Sequence, residues 1–249
     1  MMDILSKREL EVINKKTLRY PLAIAEKDYF LALVSLIIYN SSLGSMLVFK
    51  GGTAIHHCYL EQTRFSEDLD FSCINSNITL DEVKNIFKDY DFLEIKKDYM
   101  SDATIKIERL KYDGPLGQPN SLKIEIDYKQ NVVLDSKQIK YENVWGIETK
   151  VNVMDVKEIC AEKIRAMSDR ARYRDFYDLY LLIEKYKFDS TEINELIKVK
   201  EIRKEITQAN ILKNWEIVQT EKDTERDRIY YSRIIKDDDI RNFLTNGYL

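Results

Sequence analysis

Residues 50–72, KGGTAIHHCYLEQTRFSEDLDFS, decide the reading of this chain. An apolar run closes on Lys50 and the pair Gly51-Gly52, and after fifteen further residues Asp68 and Asp70 stand at alternate positions. Side chains at i and i+2 of a strand share a face, so the two carboxylates point together while Leu69 and Phe71 point into the core. A glycine turn between an apolar strand and a helix exposes backbone N–H groups, which favour phosphate. Two carboxylates beside such a turn make a seat for Mg²⁺ and a nucleoside triphosphate. An isolated Asp-x-Asp is most often a solvent-facing pair, and a lone glycine pair an ordinary turn. Their combination carries the reading.

The same device recurs downstream. In residues 122–128, Ile124 and Ile126 face one way while Glu125 and Asp127 face the other. Were the two strands neighbours, three or four carboxylates would converge. Like charges repel and raise one another's pKa, and a divalent cation relieves that.

Around these segments, hydrophobic periodicity predicts a charged helix over 6–20, a longer helix over 25–39 that is apolar all round in its second half, and a short interior strand over 46–49. Ala54, Ile55, Cys58 and Tyr59 mark the inner face of a helix after the glycine pair. Residues 81–90 read as helical, and 103–112 and 147–153 as strands. Gly114, Pro115, Gly117 and Pro119 form the clearest loop. From Val156 onward the pattern is helical. The expected fold is therefore α+β: a small mixed sheet with flanking helices, then a helical C-terminal region. The composition shift puts the boundary after Asp155, giving domains 1–155 and 156–249.

Composition narrows the function classes. The 249 residues are 33% charged and 44% hydrophobic, which suits a globular protein. The longest apolar run, residues 30–39, falls short of the roughly 20 residues that cross a bilayer. The opening MMDILSKREL has no secretory pattern. Three cysteines without metal-ligand spacing read as reduced thiols, and the expected location is the cytoplasm, with no membrane partner. Net charge is −4. Up to Asp155 there are 20 basic and 24 acidic residues, and beyond it 19 of each. Neither half coats nucleic acid by bulk attraction, so any RNA must be held by a local patch.

Hydrophobic-Gly-Gly, then Asp-x-Asp, then a later hydrophobic-acid-hydrophobic strand resembles the polymerase-β-like nucleotidyltransferase superfamily. More closely, KGGTAI and RFSEDLDF with AEKIRAMSDRARYRDFYDLYLL resemble the AbiEii/AbiGii-type nucleotidyltransferase toxins of bacterial toxin–antitoxin and phage-defence systems. The resemblance covers residues 26–182. It implies that Asp68 and Asp70 bind metal together with a third carboxylate that activates the attacking group. Glu125 and Asp127 both fit that slot, and Glu125 is preferred. It also implies Mg²⁺, with Mn²⁺ as a substitute, an NTP as substrate, and a nucleotide held by Gly51, Gly52, Thr53, Arg64, Ser66 and Lys163.

Downstream, Lys163, Arg170 and Arg174 would line one face of a continuous helix, either as a phosphate-binding row or as a surface stripe. Lys163 matches the phosphate lysine of the family. Asp175 reads equally as an N-cap with Asp178 aiding the helix dipole, or as the aspartate this motif needs for activity, fixing Lys163 or an arginine. His56 and His57, adjacent on a helix and so about 100° apart, do not clamp a metal. The expected activity is Mg²⁺-dependent transfer of NMP from an NTP to an RNA acceptor such as the tRNA 3′ end, opposed by a cognate antitoxin. The competing readings are NMP transfer to protein, including the chain itself with its sixteen tyrosines, and a catalytically silent nucleotide-binding regulator.

Overall fold

The computed structural model describes residues 3–74, 78–129, 131–188, 190–199 and 205–245. The chain forms two compact units, and three segments make up the first: Met1–Cys58, Ser66–Val132 and Ser136–Val153. The second takes Met154–Leu249 and also Tyr59–Phe65 and Val133–Asp135, two short pieces that the composition shift did not indicate.

Unit 1 is built on a seven-stranded sheet. Its strands are β1 (Leu47–Lys50), β2 (Asp68–Cys73), β3 (Leu93–Met100), β4 (Thr104–Tyr112), β5 (Asn120–Asp127), β6 (Lys137–Lys140) and β7 (Lys150–Val153), in the order β3-β4-β5-β2-β1-β7-β6. Pairing is antiparallel except for β2 with β5 and β1 with β7. Leu47, Val48 and Phe49 of β1 are all buried, as a strand covered on both faces requires. In contrast, β4 and β5 alternate buried Ile105, Ile107, Leu110, Leu122, Ile124 and Ile126 with polar residues, so one face of these strands meets solvent.

The expected fold class holds, with changes of detail. β3 and β6 were not anticipated, because LEIKKDYM and KQIK lie at the sheet edges and bury few side chains. The helix α1 (Lys7–Lys16) is shorter than expected and starts on a capping box between Ser6 and Glu9. It is followed by α2 (Leu22–Tyr39), buried nearly throughout its second half. Tyr39 Oη donates to Leu47 O and Asn152 O at 3.2 and 2.9 Å, tying α2 to β1 and β7. The loop after β4 is pinned where Leu116 N donates to the buried Glu26 Oε1 at 2.7 Å. A short α3 (Gly51–Ala54) runs on as a π turn over Ile55–Tyr59, and α4 (Leu80–Asn85) is capped by Thr79.

Unit 2 is helical: α5 (Val156–Asp169), α6 (Tyr173–Tyr186), α7 (Ser190–Val199), α8 (Gln208–Ile229) and α9 (Asp237–Thr245). Trp215 of α8 is buried against Tyr173 and Phe176 of α6. Among the described residues, no helix is long and apolar enough to cross a membrane.

Candidate active site

In unit 1 the two acidic strands are neighbours. β2 and β5 pair in parallel with Asp70 beside Glu125, Asp68 beside Lys123, and Ser72 beside Asp127. Leu69 and Phe71 are fully buried on the opposite face, so Asp68, Asp70, Glu125 and Asp127 share one side of the sheet. Asp70 also lies opposite Lys50 in the β1–β2 register. Burial, then the charge of Asp68, push the Asp70 carboxyl up to about 6, with Glu125 adding to the rise and Lys50 and Lys123 opposing it. A carboxylate so placed favours a cation at its side.

The glycine turn belongs to the same construction. Gly51 adopts φ +78°, and a Cβ there would stand 2.4 Å from Asp70 Oδ2. Only glycine allows both the left-handed backbone and that approach. Thr53 Oγ1 donates to Asp68 O at 2.5 Å, fastening the start of α3 to β2. Gly51→Ala is therefore expected to displace Asp70 and cut turnover at least 100-fold, on the scale of a misplaced catalytic group. Steady-state assays checked against an unchanged far-UV spectrum test this, and an active variant would show that the close approach is dispensable.

The donor set fits a hard divalent cation. Asp68 and Asp70 offer only oxygen, and Mg²⁺ is commonly held by one or two carboxylates plus substrate phosphates rather than by an all-protein cage. Among the described residues, no group of three or more His, Cys, Asp or Glu side chains that could hold a metal ion is found. Glu125 in particular is engaged elsewhere: its Oε2 lies 3.0 Å from Lys106 Nζ and 3.6 Å from Lys123 Nζ. Asp127 Oδ2 lies 3.7 Å from Lys50 Nζ. Lys50 and Lys106 were not singled out from sequence, although Lys50 directly precedes the glycine pair. Ser66 is half-buried where the chain returns to unit 1.

Unit 2 holds a separate buried network of charges. Lys163 Nζ lies 2.9 Å from Asp175 Oδ1 and 2.7 Å from Asp178 Oδ2. Arg170 Nε donates to Asp175 Oδ2 at 2.9 Å. Arg64 grips Asp178 with two parallel bonds, Nε to Oδ1 at 2.7 Å and Nη2 to Oδ2 at 2.6 Å, the strong bidentate geometry. Its Nη1 donates to Phe65 O at 2.9 Å. Arg64, placed against the nucleotide by the sequence reading, is thus buried and committed to Asp178.

Two helical expectations change. Lys163, Arg170 and Arg174 do not lie on one continuous helix, since α5 ends at Asp169 and Arg170 is extended before α6 begins. Asp175 is not an N-cap either. Arg172 occupies that position, and Asp175 sits inside the first turn, where its charge still suits the helix dipole. Asp178 was read only as a helix-dipole residue, yet it is fully buried. The available signal was the i, i+3 spacing of two acids on an apolar face, which places both toward the interior. Glu158, also unremarked, is fully buried and accepts from Val133 N and Leu134 N at 3.0 and 2.9 Å. Both histidines are buried: His57 stacks on Tyr141 and its Nδ1 donates to Glu142 O at 2.7 Å.

Burial pushes the Asp175 carboxyl up, but Lys163 and Arg170 outweigh it and hold the group down at about 2, against an ordinary 3.8. A depressed carboxylate contributes stability above its unfolded pKa and loses it as pH falls through the folded one. The stability difference between wild type and Asp175→Asn should therefore shrink by about 2 kcal/mol as pH falls from about 4 to about 2. Urea unfolding across that range reads it, and a constant difference would refute the assignment.

The profile of the family described as nucleotidyl transferase AbiEii toxin, type IV TA system, matches residues 32–246. Among solved structures, MenT4, a nucleotidyltransferase toxin of Mycobacterium tuberculosis, is similar at a TM-score of 0.61 and 20% identity, over 92% of this chain and 76% of that one. JHP933 of Helicobacter pylori is similar at a TM-score of 0.56 and 21% identity, over 96% of this chain and 90% of that one. No curated protein sequence matches.

Proposed function

Because this chain belongs to the AbiEii family of nucleotidyltransferase toxins, we propose that it transfers a nucleoside monophosphate from an NTP to the 3′ end of an RNA, with tRNA the favoured acceptor, and that a cognate antitoxin opposes it in the cytoplasm. The observation that carries this reading is the Asp68–Asp70 pair set against the Gly51 turn, with Asp70 pushed up to about 6 by burial and like charge. Asp68 and Asp70 would hold a divalent cation, Mg²⁺ with Mn²⁺ as a substitute. When bound, it supplies charge neutralisation for the triphosphate and the departing pyrophosphate.

The remaining roles fall to the chain itself. Backbone N–H groups at Gly51 and Gly52 face phosphate oxygens. Glu125 takes the proton of the attacking hydroxyl, with Asp127 the alternative. The acceptor oxygen bonds to the α-phosphorus as the bond to the β-phosphate oxygen breaks, and pyrophosphate leaves. In unit 2, Asp175 and Asp178 hold the Lys163 ammonium in place.

The test incubates purified protein with Mg²⁺, each α-labelled NTP in turn and total bacterial RNA, with Asp70→Asn alongside. Label entering small RNA with wild type alone supports the reading and names nucleotide and acceptor. Label entering only protein replaces RNA with a protein acceptor. Tight NTP binding without any label favours a silent nucleotide-binding regulator.

A further inference from the structure

The chain carries no bulk positive field for RNA, its net charge being −4. The outer strands of the sheet nonetheless carry several cations on one face, interleaved with carboxylates. Register places Tyr99, Lys106, Glu125, Asp70 and Lys50 on one rung across β3, β4, β5, β2 and β1. Directly opposed residues project from the same face of a sheet, so Tyr99 and Lys106 stand on the side that bears the paired aspartates. Lys111 of β4 and Lys123 of β5 share that side, and Lys123 lies next to Asp68. A bulge between inward-facing Ile107 and Leu110 turns Glu108 and Arg109 out of the core, with Arg109 opposite Lys97. Lys97 and Arg109 are exposed, and Tyr99 is 52% exposed.

We propose that this solvent face of β3–β5 is the track on which single-stranded RNA runs to the Asp68–Asp70 pair. The inference rests on the transferase reading above and specifies the surface that guides its acceptor. Proteins that bind single strands combine a basic path for the phosphates with aromatic side chains on which bases stack. Lys97, Arg109, Lys111 and Lys123 supply the path, and Tyr99 supplies a stacking platform. The distance from Tyr99 to Asp70 is three strand spacings, roughly 14 Å, within reach of a short unpaired end. The core makes no demand on this face, since the same strands bury their opposite residues. The carboxylates among the cations do not close it. Lys97 pairs with Glu108, Lys111 with Asp113 and Lys123 with Glu125, and Glu94 stands opposite Lys111; ion pairs this open to solvent hold weakly and yield to phosphate.

The test measures binding of a 5′-fluorescein oligoribonucleotide of mixed sequence with a free 3′ hydroxyl, at several salt concentrations, to the full chain. The variants are Lys97→Gln/Arg109→Gln/Lys111→Gln, Tyr99→Ala, and Lys97→Arg/Lys111→Arg. None of these residues touches the acidic pair. The triple glutamine variant should lower the slope of log affinity against log salt by about 2, at about 0.7 per phosphate contact on a single strand. Tyr99→Ala should weaken binding about five-fold or more, and the arginine variant should keep both slope and affinity. Titration with a fluorescent NTP, expected to be unchanged in all of them, establishes that each is folded. If wild type labels and binds RNA while the glutamine variant keeps its slope, the track is overturned and the transferase reading stands. If wild type neither labels nor binds RNA, or labels only protein, both are overturned.

Discussion

Asp70→Asn is expected to abolish NMP transfer and, in the absence of metal, to make the folded protein more stable at neutral pH by about 2 kcal/mol. The sign follows from the carboxyl lying at about 6 instead of 3.8. The native state then binds the proton more tightly than the unfolded chain, so its stability is greatest below about 4 and declines as pH rises through about 6. At pH 7.5 the full penalty of a half-buried, unneutralised charge is present, and asparagine removes it. Residual contact of Asp70 with solvent moderates that penalty. Urea unfolding in EDTA at pH 3.5 and pH 7.5 checks it: the variant should be more stable at pH 7.5 and nearly equal to wild type at pH 3.5, below both pKa values. Added Mg²⁺ should raise the midpoint of wild type alone, since ligand that binds only the native state stabilises it by mass action. Equal midpoints in EDTA at pH 7.5 would show that Asp70 bears no such penalty. Residues built for a charged ligand cost stability without it, and that exchange is what separates a site from a surface.

The opposite expectation holds in unit 2. Asp178→Ala should cost about 3–5 kcal/mol, the usual penalty for removing one partner of a buried charge pair. Asp178 accepts two bonds from Arg64 and lies 2.7 Å from Lys163 Nζ. Both partners are almost wholly buried, so the alanine variant leaves a guanidinium facing an apolar gap. Arg64→Met/Asp178→Leu should recover much of the loss, because a buried pair replaced by packed apolar groups is often neutral. Tryptophan emission during urea unfolding follows this directly, since Trp215 packs on α6. A loss under 1 kcal/mol for Asp178→Ala, or no recovery in the double variant, would show that the pair does not hold the unit together.

Much of the fold was written in periodicity. The buried run of β1, the alternation of β2, β4 and β5, and the apolar second half of α2 each have a spacing that admits one local structure, because burial on one face fixes which residues must be apolar. The edge strands β3 and β6 were not legible, since an edge buries little and LEIKKDYM reads as a charged turn or helix as easily as a strand. The break between α5 and α6 was hidden for a related reason. ARYRDFYD has no glycine or proline to mark the end of a helix, and it is the extended backbone at Arg170 that separates the two.

The sequence by itself determined the Asp-x-Asp pair, the glycine turn and the second acidic strand, because chemistry that holds phosphate needs those residue types at a strand's period of two. Only the tertiary structure decided their company. Strand order brings Glu125 beside Asp70, and the neighbouring β4 delivers Lys106 to Glu125 from its other side. Gly51 comes to lie against Asp70 Oδ2, and Asp178 is given to Arg64 across more than a hundred residues of chain. Such pairings depend on which surfaces meet once apolar faces are buried. Local sequence fixes where a side chain points, and the packing of distant segments fixes what it finds there.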